Sequence, residues 1–340
     1  MKTTKFTIAL LAVSIGFTSC NDDDDINDGR FDRAELYVTS NTNGAINVYD
    51  FSDGSNPTQT TLTTAGSTDN EGIVYDAGND QLIFASRTNG TVAIATDIED
   101  MIDGTSSPLA FNQSTNNLVS PRSVAINGNF VVIADNDGDG VGLDANELFI
   151  YQRTGSTLTL RNTLTVGFAL WQIQFVGNDL YAVVDQTSDL AVFSDLLNNN
   201  TNAAVTPTKR ITIDGITRTH GLVINTKDDI AILTDIGSAA VDNDGAFHII
   251  ADFGAKFGAI TNGGTLPVQG NQVRVSGTNT FLGNPVAAAY DSETDTIFIA
   301  ERANSNGRVL AFNASATGNA TPVVNNMLPG ASTVFFYGED

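Results

Sequence analysis

The sequence predicts an all-β protein and, more closely, a six-bladed β-propeller. A short pattern recurs along the chain: an apolar run, a turn of Asn, Asp or Gly, and a second apolar run. A period of about fifty residues, with about four short strands per unit, is typical of propeller blades. The chain has 31 glycines and no long window with helical periodicity, which favours an all-β class. The repeats start, at steps of 51, 50, 48, 66 and 47 residues, at Glu71, Arg122, Gln172, His220, Val286 and Thr333.

Each of the first five repeats also carries the next two strands of a blade. Apolar runs that predict second strands occupy residues 81–85, 130–134, 180–184, 230–234 and 296–300. Runs that predict third strands occupy residues 90–94, 147–151, 189–193, 246–250 and 307–312. These segments are short and lie between turn residues, as expected for strands of a meander. The sequence therefore contains five complete blades.

The two ends of the chain predict a shared sixth blade. The N-terminal part begins out of phase, with a second strand at 36–40 and a third at 45–49. The C-terminal part ends on a first strand, 333–337, that has no partner after it. Pairing of this last strand with the N-terminal strands would close the ring and leave no open sheet edge there. A seventh blade would need another repeat, and the long step holds only insertions, at 236–245 and 256–283.

The first nineteen residues predict an export signal. Lys2 and Lys5 give a positive start, and residues 6–17 are mainly apolar but too short to span a bilayer. The segment Phe17-Thr18-Ser19-Cys20 resembles a bacterial lipoprotein lipobox, with Phe in place of the usual Leu. The resemblance implies cleavage before Cys20 and lipid, such as palmitate, on its sulfur. An ordinary secretory signal followed by an incidental cysteine is the alternative.

Residues 20–34 predict an acidic tether before the propeller domain of residues 35–340. Residues 22–25 are four adjacent aspartates, which repel one another and cannot enter a core. An acidic run directly after a lipidated cysteine resembles the surface-export signal of Bacteroidota lipoproteins. The resemblance implies the outer membrane, with the protein facing the cell exterior. A spacer on a protein that faces the periplasm is the alternative.

The charge of the chain restricts its partners. The formal net charge is −23, and loss of Lys2 and Lys5 with the signal makes it −25. Such a chain repels phosphate backbones, which excludes nucleic acid as an expected partner. Most of the acids are aspartates, and many of these lie next to Gly or Asn, so the charge also fits a fold with many turns. Cation binding and a salty medium are the alternative explanations.

The starts of the inner strands predict a central ligand pocket. In a propeller these starts converge on the central channel, at the face that also carries the loops between second and third strands. A carboxylate, a guanidinium, an amide, an imidazole and the only Trp would then form a polar pocket with an aromatic wall. The alternative is a water-lined channel in which Arg122 neutralises Glu71. The candidate residues are Glu71, Arg122, Trp171, Gln172 and His220.

The repeat rhythm resembles that of six-bladed propellers of the NHL-repeat and SMP-30/gluconolactonase type over roughly residues 35 to 340. Lactonases of that type begin their first inner strand with Glu-Gly, as Glu71-Gly72 does here. The resemblance implies a divalent metal on Glu71. This chain departs from the pattern at Ile73, where Pro is usual, and at His220 and Val286, where Asn and Asp are expected. A metal held by Glu71 and His220 alone would lack ligands.

One acidic loop predicts a calcium site. Carboxylates at alternate positions followed by Gly allow a tight turn to direct several oxygens at one cation. The loop resembles the start of an EF-hand loop but departs from it at the end, where the closing acids fall one place late. A solvated acidic turn is the alternative. The candidate ligands are Asp135, Asp137, Asp139, Val141, Asp144 and Glu147.

These observations lead to two functional hypotheses. The first is a monomeric, surface-exposed, lipid-anchored propeller that binds a protein, peptide or glycan without catalysis and carries a structural Ca²⁺. The second is a metal-dependent lactonase-like hydrolase or lyase that uses the same face. Catalytic constellations are few, since the chain has two histidines, His220 and His248, and its one thiol is expected to be acylated. The sequence does not identify the ligand.

Overall fold

A computed structural model describes residues 33–52, 57–102, 104–136 and 146–339. The predicted signal peptide, the lipidation site Cys20 and most of the tether lie outside the described residues. Four predicted calcium ligands also lie outside them: Asp137, Asp139, Val141 and Asp144. Among the described residues, no helix is long and apolar enough to cross a membrane.

The described chain is built almost entirely of short strands. Its one α-helix is α1 (Phe253–Ala259), and short 3-10 turns occupy Ala77–Asn79, Glu99–Met101, Leu196–Asn198 and Asn304–Asn306. The strands are β1 (Arg33–Ser40), β2 (Ile46–Asp50), β3 (Thr58–Thr64), β4 (Asn70–Asp76), β5 (Gln81–Ser86), β6 (Thr91–Thr96), β7 (Ser106–Leu109), β8 (Asn112–Gln113), β9 (Pro121–Asn127), β10 (Phe130–Asn136), β11 (Asn146–Thr154), β12 (Thr157–Val166), β13 (Leu170–Val176), β14 (Asp179–Val184), β15 (Asp189–Phe193), β16 (Ala203–Val205), β17 (Lys209–Ile213), β18 (Thr219–Asn225), β19 (Ile230–Asp235), β20 (Ala246–Ala251), β21 (Thr265–Leu266), β22 (Val273–Ser276), β23 (Pro285–Asp291), β24 (Thr296–Glu301), β25 (Arg308–Asn313), β26 (Val324–Met327) and β27 (Ala331–Glu339).

Six sheets form the blades, which confirms the predicted architecture. Blade 1 holds β4-β5-β6-β8, blade 2 β9-β10-β11-β12, and blade 3 β13-β14-β15-β17. Blade 4 holds β18-β19-β20-β22, and blade 5 β23-β24-β25-β26. Blade 6 holds β27-β1-β2-β3. Three blades gain an outer fifth strand, β7, β16 or β21, which pairs in parallel. The long repeat step contains α1, β21 and β22 rather than another blade.

The C-terminal strand closes the ring, as predicted. β27 pairs antiparallel with β1, with Leu36 opposite Phe336 and Tyr37 opposite Phe335. Because β27 continues to Glu339, its partner β1 begins at Arg33, two residues before the predicted start of the domain. Closure leaves every inner strand paired within its own blade.

The core lies between adjacent blades. Second strands are covered by neighbouring strands at both edges and by neighbouring blades on both faces. Leu82, Ile83 and Phe84 of β5 are therefore all fully buried. Burial on both faces requires a continuous apolar run rather than alternation, which is why these strands were easy to find in the sequence. Each such side chain contributes roughly 1.5–3 kcal/mol relative to an exposed one.

Inner strands begin at one face of the ring, the strand-start face, and end at the other, the strand-end face. Turns at the strand-end face account for part of the acidic composition. Six aspartates there have left-handed backbone, with φ between 46° and 59°. Asp tolerates this conformation because its short side chain can bond the local backbone. The six are Asp80, Asp97, Asp195, Asp229, Asp252 and Asp295.

Candidate functional site

Gly72 allows two inner strands to approach closely at the strand-start face. Its φ is +72°, and a Cβ on it would lie 2.8 Å from the backbone nitrogen of Val124 and 2.9 Å from the backbone of Ser123. The Gly72 N–H donates to Thr333 Oγ1 at 2.8 Å, which ties β4 to β27. The ladder shifts register between Glu71 and Ile73. The Glu71-Gly72 pair therefore has a packing reason at the junction of three inner strands.

Glu71 lies between two arginines. Its carboxylate is 3.1 Å from Arg122 Nη1 and 3.6 Å from Arg87 Nη1. The side chain of Glu71 is only 2% exposed and that of Arg122 only 10%. Arg87 also pairs with Asp69 at 3.0 Å. The charged groups at this point are thus paired with one another, as expected for charges removed from water, although Asp69 Oδ1, Arg87 Nε and Arg122 Nε are buried without a hydrogen-bond partner.

An aromatic stack continues the cluster from Arg122. The Arg122 guanidinium lies 4.4 Å from the centre of the Trp171 ring, on its face. Trp171 stacks in parallel on His220, with 3.6 Å between ring centroids and an interplanar angle of 5°. Trp171 and His220 are both buried. The indole therefore lies between a cation and an imidazole, an arrangement that fixes all three side chains.

Asp185 holds the far end of the stack. His220 Nε2 is 3.0 Å from Asp185 Oδ1, and Arg218 Nη2 is 2.8 Å from the same carboxylate. Burial lowers the pKa of His220, against the opposing effect of Asp185, so the imidazole is neutral near pH 7. Burial works to raise the pKa of Asp185, but bonding to His220 and Arg218 outweighs it and lowers that pKa. The neutral ring donates from Nε2, and its buried Nδ1 has no hydrogen-bond partner.

Four of the five predicted pocket residues thus form one chain of contacts, which we call the entrance cluster: Glu71, Arg122, Trp171 and His220, with Arg87, Asp185 and Arg218 added by the structure. The fifth, Gln172, lies elsewhere. Its Oε1 accepts from the Leu222 N–H at 3.0 Å, so it bridges β13 and β18. Gln174 makes the same kind of bridge to Ile224, accepting from its N–H and donating to its carbonyl, each at 2.8 Å.

Asp185 belongs to a repeated position that the sequence reasoning missed. In five blades a polar residue within one position of the end of the second strand has a side chain that bonds the strand-start loops. Asp235 accepts from the Thr217 and Arg218 N–H groups, and Glu301 accepts from four backbone N–H groups. The signal was present as a polar residue that closes each apolar run: Ser86, Asp135, Asp185, Asp235 and Glu301.

Asp135, a predicted calcium ligand, has this structural role. Its carboxylate accepts from the Val119 and Ser120 N–H groups at 2.7 and 2.6 Å. Asp135 also stands opposite Glu147 in the ladder between β10 and β11. Burial, together with the charge of Asp135, raises the pKa of Glu147. The structure thus brings Asp135 and Glu147, the first and last candidate ligands, opposite each other. Calcium binding there stays a prediction.

A central cavity of about 350 Å³ lies below the entrance cluster. It is lined by the middle and end of the six inner strands and includes Gln172, but not the other four predicted residues. Val124 and Ile173 in its lining are buried, whereas Phe175, Val223 and Phe336 are only partly buried. Partial exposure of Phe175, Asn225 and Phe336, which lie toward the ends of their strands, favours an opening at the strand-end face. The entrance cluster, with buried Val286 and Thr333, lies at the opposite end.

The chemistry of the entrance cluster is restricted by its own contacts. The space beside the Glu71 carboxylate is occupied by guanidinium groups, which repel a divalent cation. His220 has Trp171 on one ring face and Asp185 at Nε2. Within the described ranges, no group of three or more His, Cys, Asp or Glu side chains is arranged to hold a metal. The cluster therefore fits a rigid closing element at one end of the channel.

No protein-family profile matches the chain, and no curated protein matches it either. Solved structures share its fold. A chain from a nidogen/laminin complex is 11% identical with a TM-score of 0.61, covering 89% of this chain and 98% of that one. A Bacteroides uniformis protein assigned as a 6-phosphogluconolactonase is 12% identical with a TM-score of 0.60, covering 90% of this chain and 100% of that one. A Bacteroides fragilis protein with the same assignment is 11% identical with a TM-score of 0.53, covering 89% and 84%. At such identities the likeness concerns the fold alone.

Proposed function

We propose that this propeller is a non-catalytic binding module for a protein, peptide or glycan, and that its partner inserts a group into the central cavity. One observation supports the proposal above others. The channel is closed at the strand-start face by side chains that bind one another, and it is open at the strand-end face through a partly exposed apolar lining. A preformed apolar cavity with a few polar groups is the usual form of a binding site.

A metal-dependent hydrolase at the entrance cluster is less well supported. Such a reaction would need the Glu71 carboxylate for a cation, and Arg122 and Arg87 are its neighbours instead. The lactonase pattern also has a metal-binding Asp at the start of a late inner strand. This chain has Val286 at that position, and Val286 is buried. Both features favour a closing role for the cluster over a catalytic one.

The proposal includes the position of the protein in the cell. The lipobox-like segment before Cys20 and the aspartates that follow it support a lipid anchor on the outer membrane, with the propeller facing the exterior. Cys20→Ser should move the protein from the membrane fraction to the soluble fraction. Retention in the membrane fraction would reject the lipid anchor without affecting the binding proposal.

A screen with matched variants tests the function. Wild-type protein, Val223→Phe and Val119→Phe are applied to the same peptide and glycan arrays. Val223 is partly buried in the cavity lining, so Phe should fill the opening, whereas Val119 is 67% exposed at the opposite face. We expect array hits that Val223→Phe loses and Val119→Phe keeps. Lactone turnover that depends on added divalent metal and is lost in Glu71→Gln would overturn the proposal in favour of an enzyme.

A further inference from the structure

Acidic side chains surround the opening of the central cavity. The connections from inner to second strands, with the ends of β27 and β1, carry nine described acidic residues and two basic ones, a difference of seven negative charges. The basic residues are Arg33 and Lys227. The acidic ones are Asp76, Asp80, Asp179, Asp228, Asp229, Asp291, Glu293, Asp295 and Glu339.

Few of these charges are neutralised by partners. Lys227 pairs with Glu293, and Arg153 from the third strand of blade 2 pairs with Asp76. Asp228 and Glu339 are exposed. The strand-start face also carries acids, but many of them are bound by local donors: Asp69, Glu71 and Asp185 lie beside arginines, and Asp135, Asp235 and Glu301 accept backbone N–H groups. Acidic charge with few basic partners therefore surrounds the opening of the cavity.

The lining inside this acidic ring is apolar. Ile126, Phe175, Val223 and Phe336 are partly exposed at the strand-end side of the cavity. A volume of about 350 Å³ is near the lower limit for ligand pockets and suits a small apolar group such as an aromatic side chain. An occupant must therefore combine an apolar group that enters with positive charge that stays outside.

We propose that the occupant is a basic peptide segment of a partner protein, with an aromatic side chain in the cavity and flanking lysines or arginines against the acidic ring. This inference rests on the proposed function and specifies the partner of the same cavity. Aromatic anchors and surrounding charges are the usual division of roles in protein interfaces. Charge complementarity with the ring distinguishes this partner from acidic peptides and from neutral glycans.

Three labelled peptides test the charge and the anchor separately: Lys-Phe-Lys-Phe-Lys, Ser-Phe-Ser-Phe-Ser and Lys-Ser-Lys-Ser-Lys. Binding is measured by fluorescence anisotropy at two salt concentrations. We expect the first peptide to bind most tightly and to weaken as salt rises, since screening acts over about 8 Å at physiological ionic strength. Equal affinity of the first two peptides would overturn the role of charge, and equal affinity of the first and third would overturn the aromatic anchor.

Matched charge variants locate the site without changing the core. The double substitution Asp228→Asn with Glu339→Gln removes two exposed charges near the opening. Removal of two unit charges about 10 Å from the three lysines of the peptide, with salt screening, should weaken peptide binding about threefold. The control Asp214→Asn with Asp242→Asn removes two exposed charges at the strand-start face and should change the affinity by less than half as much.

The outcomes separate this inference from the proposed function. Loss of Lys-Phe-Lys-Phe-Lys binding in Val223→Phe, with the expected charge effects, supports both. Neutral or acidic ligands that bind wild-type protein and are blocked by Val223→Phe would uphold the cavity and overturn the basic partner. Basic peptide binding that Val223→Phe leaves unchanged would place the peptide outside the cavity and overturn the inference.

Discussion

Removal of the Glu71 charge should destabilise the protein strongly, because it leaves Arg122 buried without its counter-ion. Glu71→Gln keeps the shape of the side chain while abolishing the ion pairs with Arg122 and Arg87. Breaking a buried pair by removing one partner costs about 3–5 kcal/mol. Unfolding entropy of about 2.1 cal/mol/K per residue, over about 300 residues, converts this loss to a fall in Tm of about 5–8 °C.

Glu99→Gln is the matched control for this experiment. Glu99 also pairs with an arginine, Arg33, at 3.6 Å, but its side chain is 61% exposed. Exposed pairs contribute about 0–1 kcal/mol, so the control should lower Tm by no more than about 2 °C. Calorimetry and urea unfolding give the two values. A Glu71→Gln protein as stable as Glu99→Gln would show that the entrance cluster is not a dry closing element.

Three further predictions follow from single contacts. Burial lowers the pKa of His220, so the imidazole of the unfolded chain takes up a proton at a higher pH than that of the folded chain. The free energy of unfolding should therefore fall as the pH drops through about 6.5. In His220→Gln this fall, measured by urea unfolding between pH 8 and pH 5.5, should be smaller. Gly72→Ala should lower the free energy of unfolding by more than the roughly 1–2 kcal/mol of left-handed backbone alone, because its Cβ would contact backbone at 2.8 Å. Gly128→Ala, with φ of +56° and open space around it, should lower it by only about that amount. Equal losses of Tm would contradict the packing role of Gly72. Asp137→Ala should lower Tm only when calcium is present, and equal shifts with and without calcium would reject the ion.

The fold was accessible from the sequence because burial in a propeller is regular. Second strands such as 81–85 lie between blades and must be apolar throughout, so they stand out between turn residues. Closure of the ring could be predicted because the chain begins with the second strand of a blade and ends with a first strand. The parallel outer strands β7, β16 and β21 were not predicted, because two to four residues in long connections carry no periodic signal.

The candidate site was accessible only in part. Trp171 enters the cluster, whereas Gln172 bridges two strands instead. The ladder shifts register between Leu170 and Ile173, so regular alternation along the strand could not have separated these two residues. The Trp171–His220 stack and the partnership of His220 with Asp185 could not be predicted, because they depend on side-chain rotamers across blades 3 and 4. The location of the cavity depends in turn on how the entrance cluster packs.

Thiol labelling at the two ends of the channel distinguishes an open end from a closed one. In a chain with Cys20 replaced by Ser, Val223→Cys lies at the open end and Val286→Cys, only 4% exposed, lies at the closed end. A small neutral maleimide should label Val223→Cys rapidly and Val286→Cys slowly, and a bound partner peptide should protect Val223→Cys. Faster labelling of Val286→Cys than of Val223→Cys would show a channel open at the strand-start face and would contradict the account.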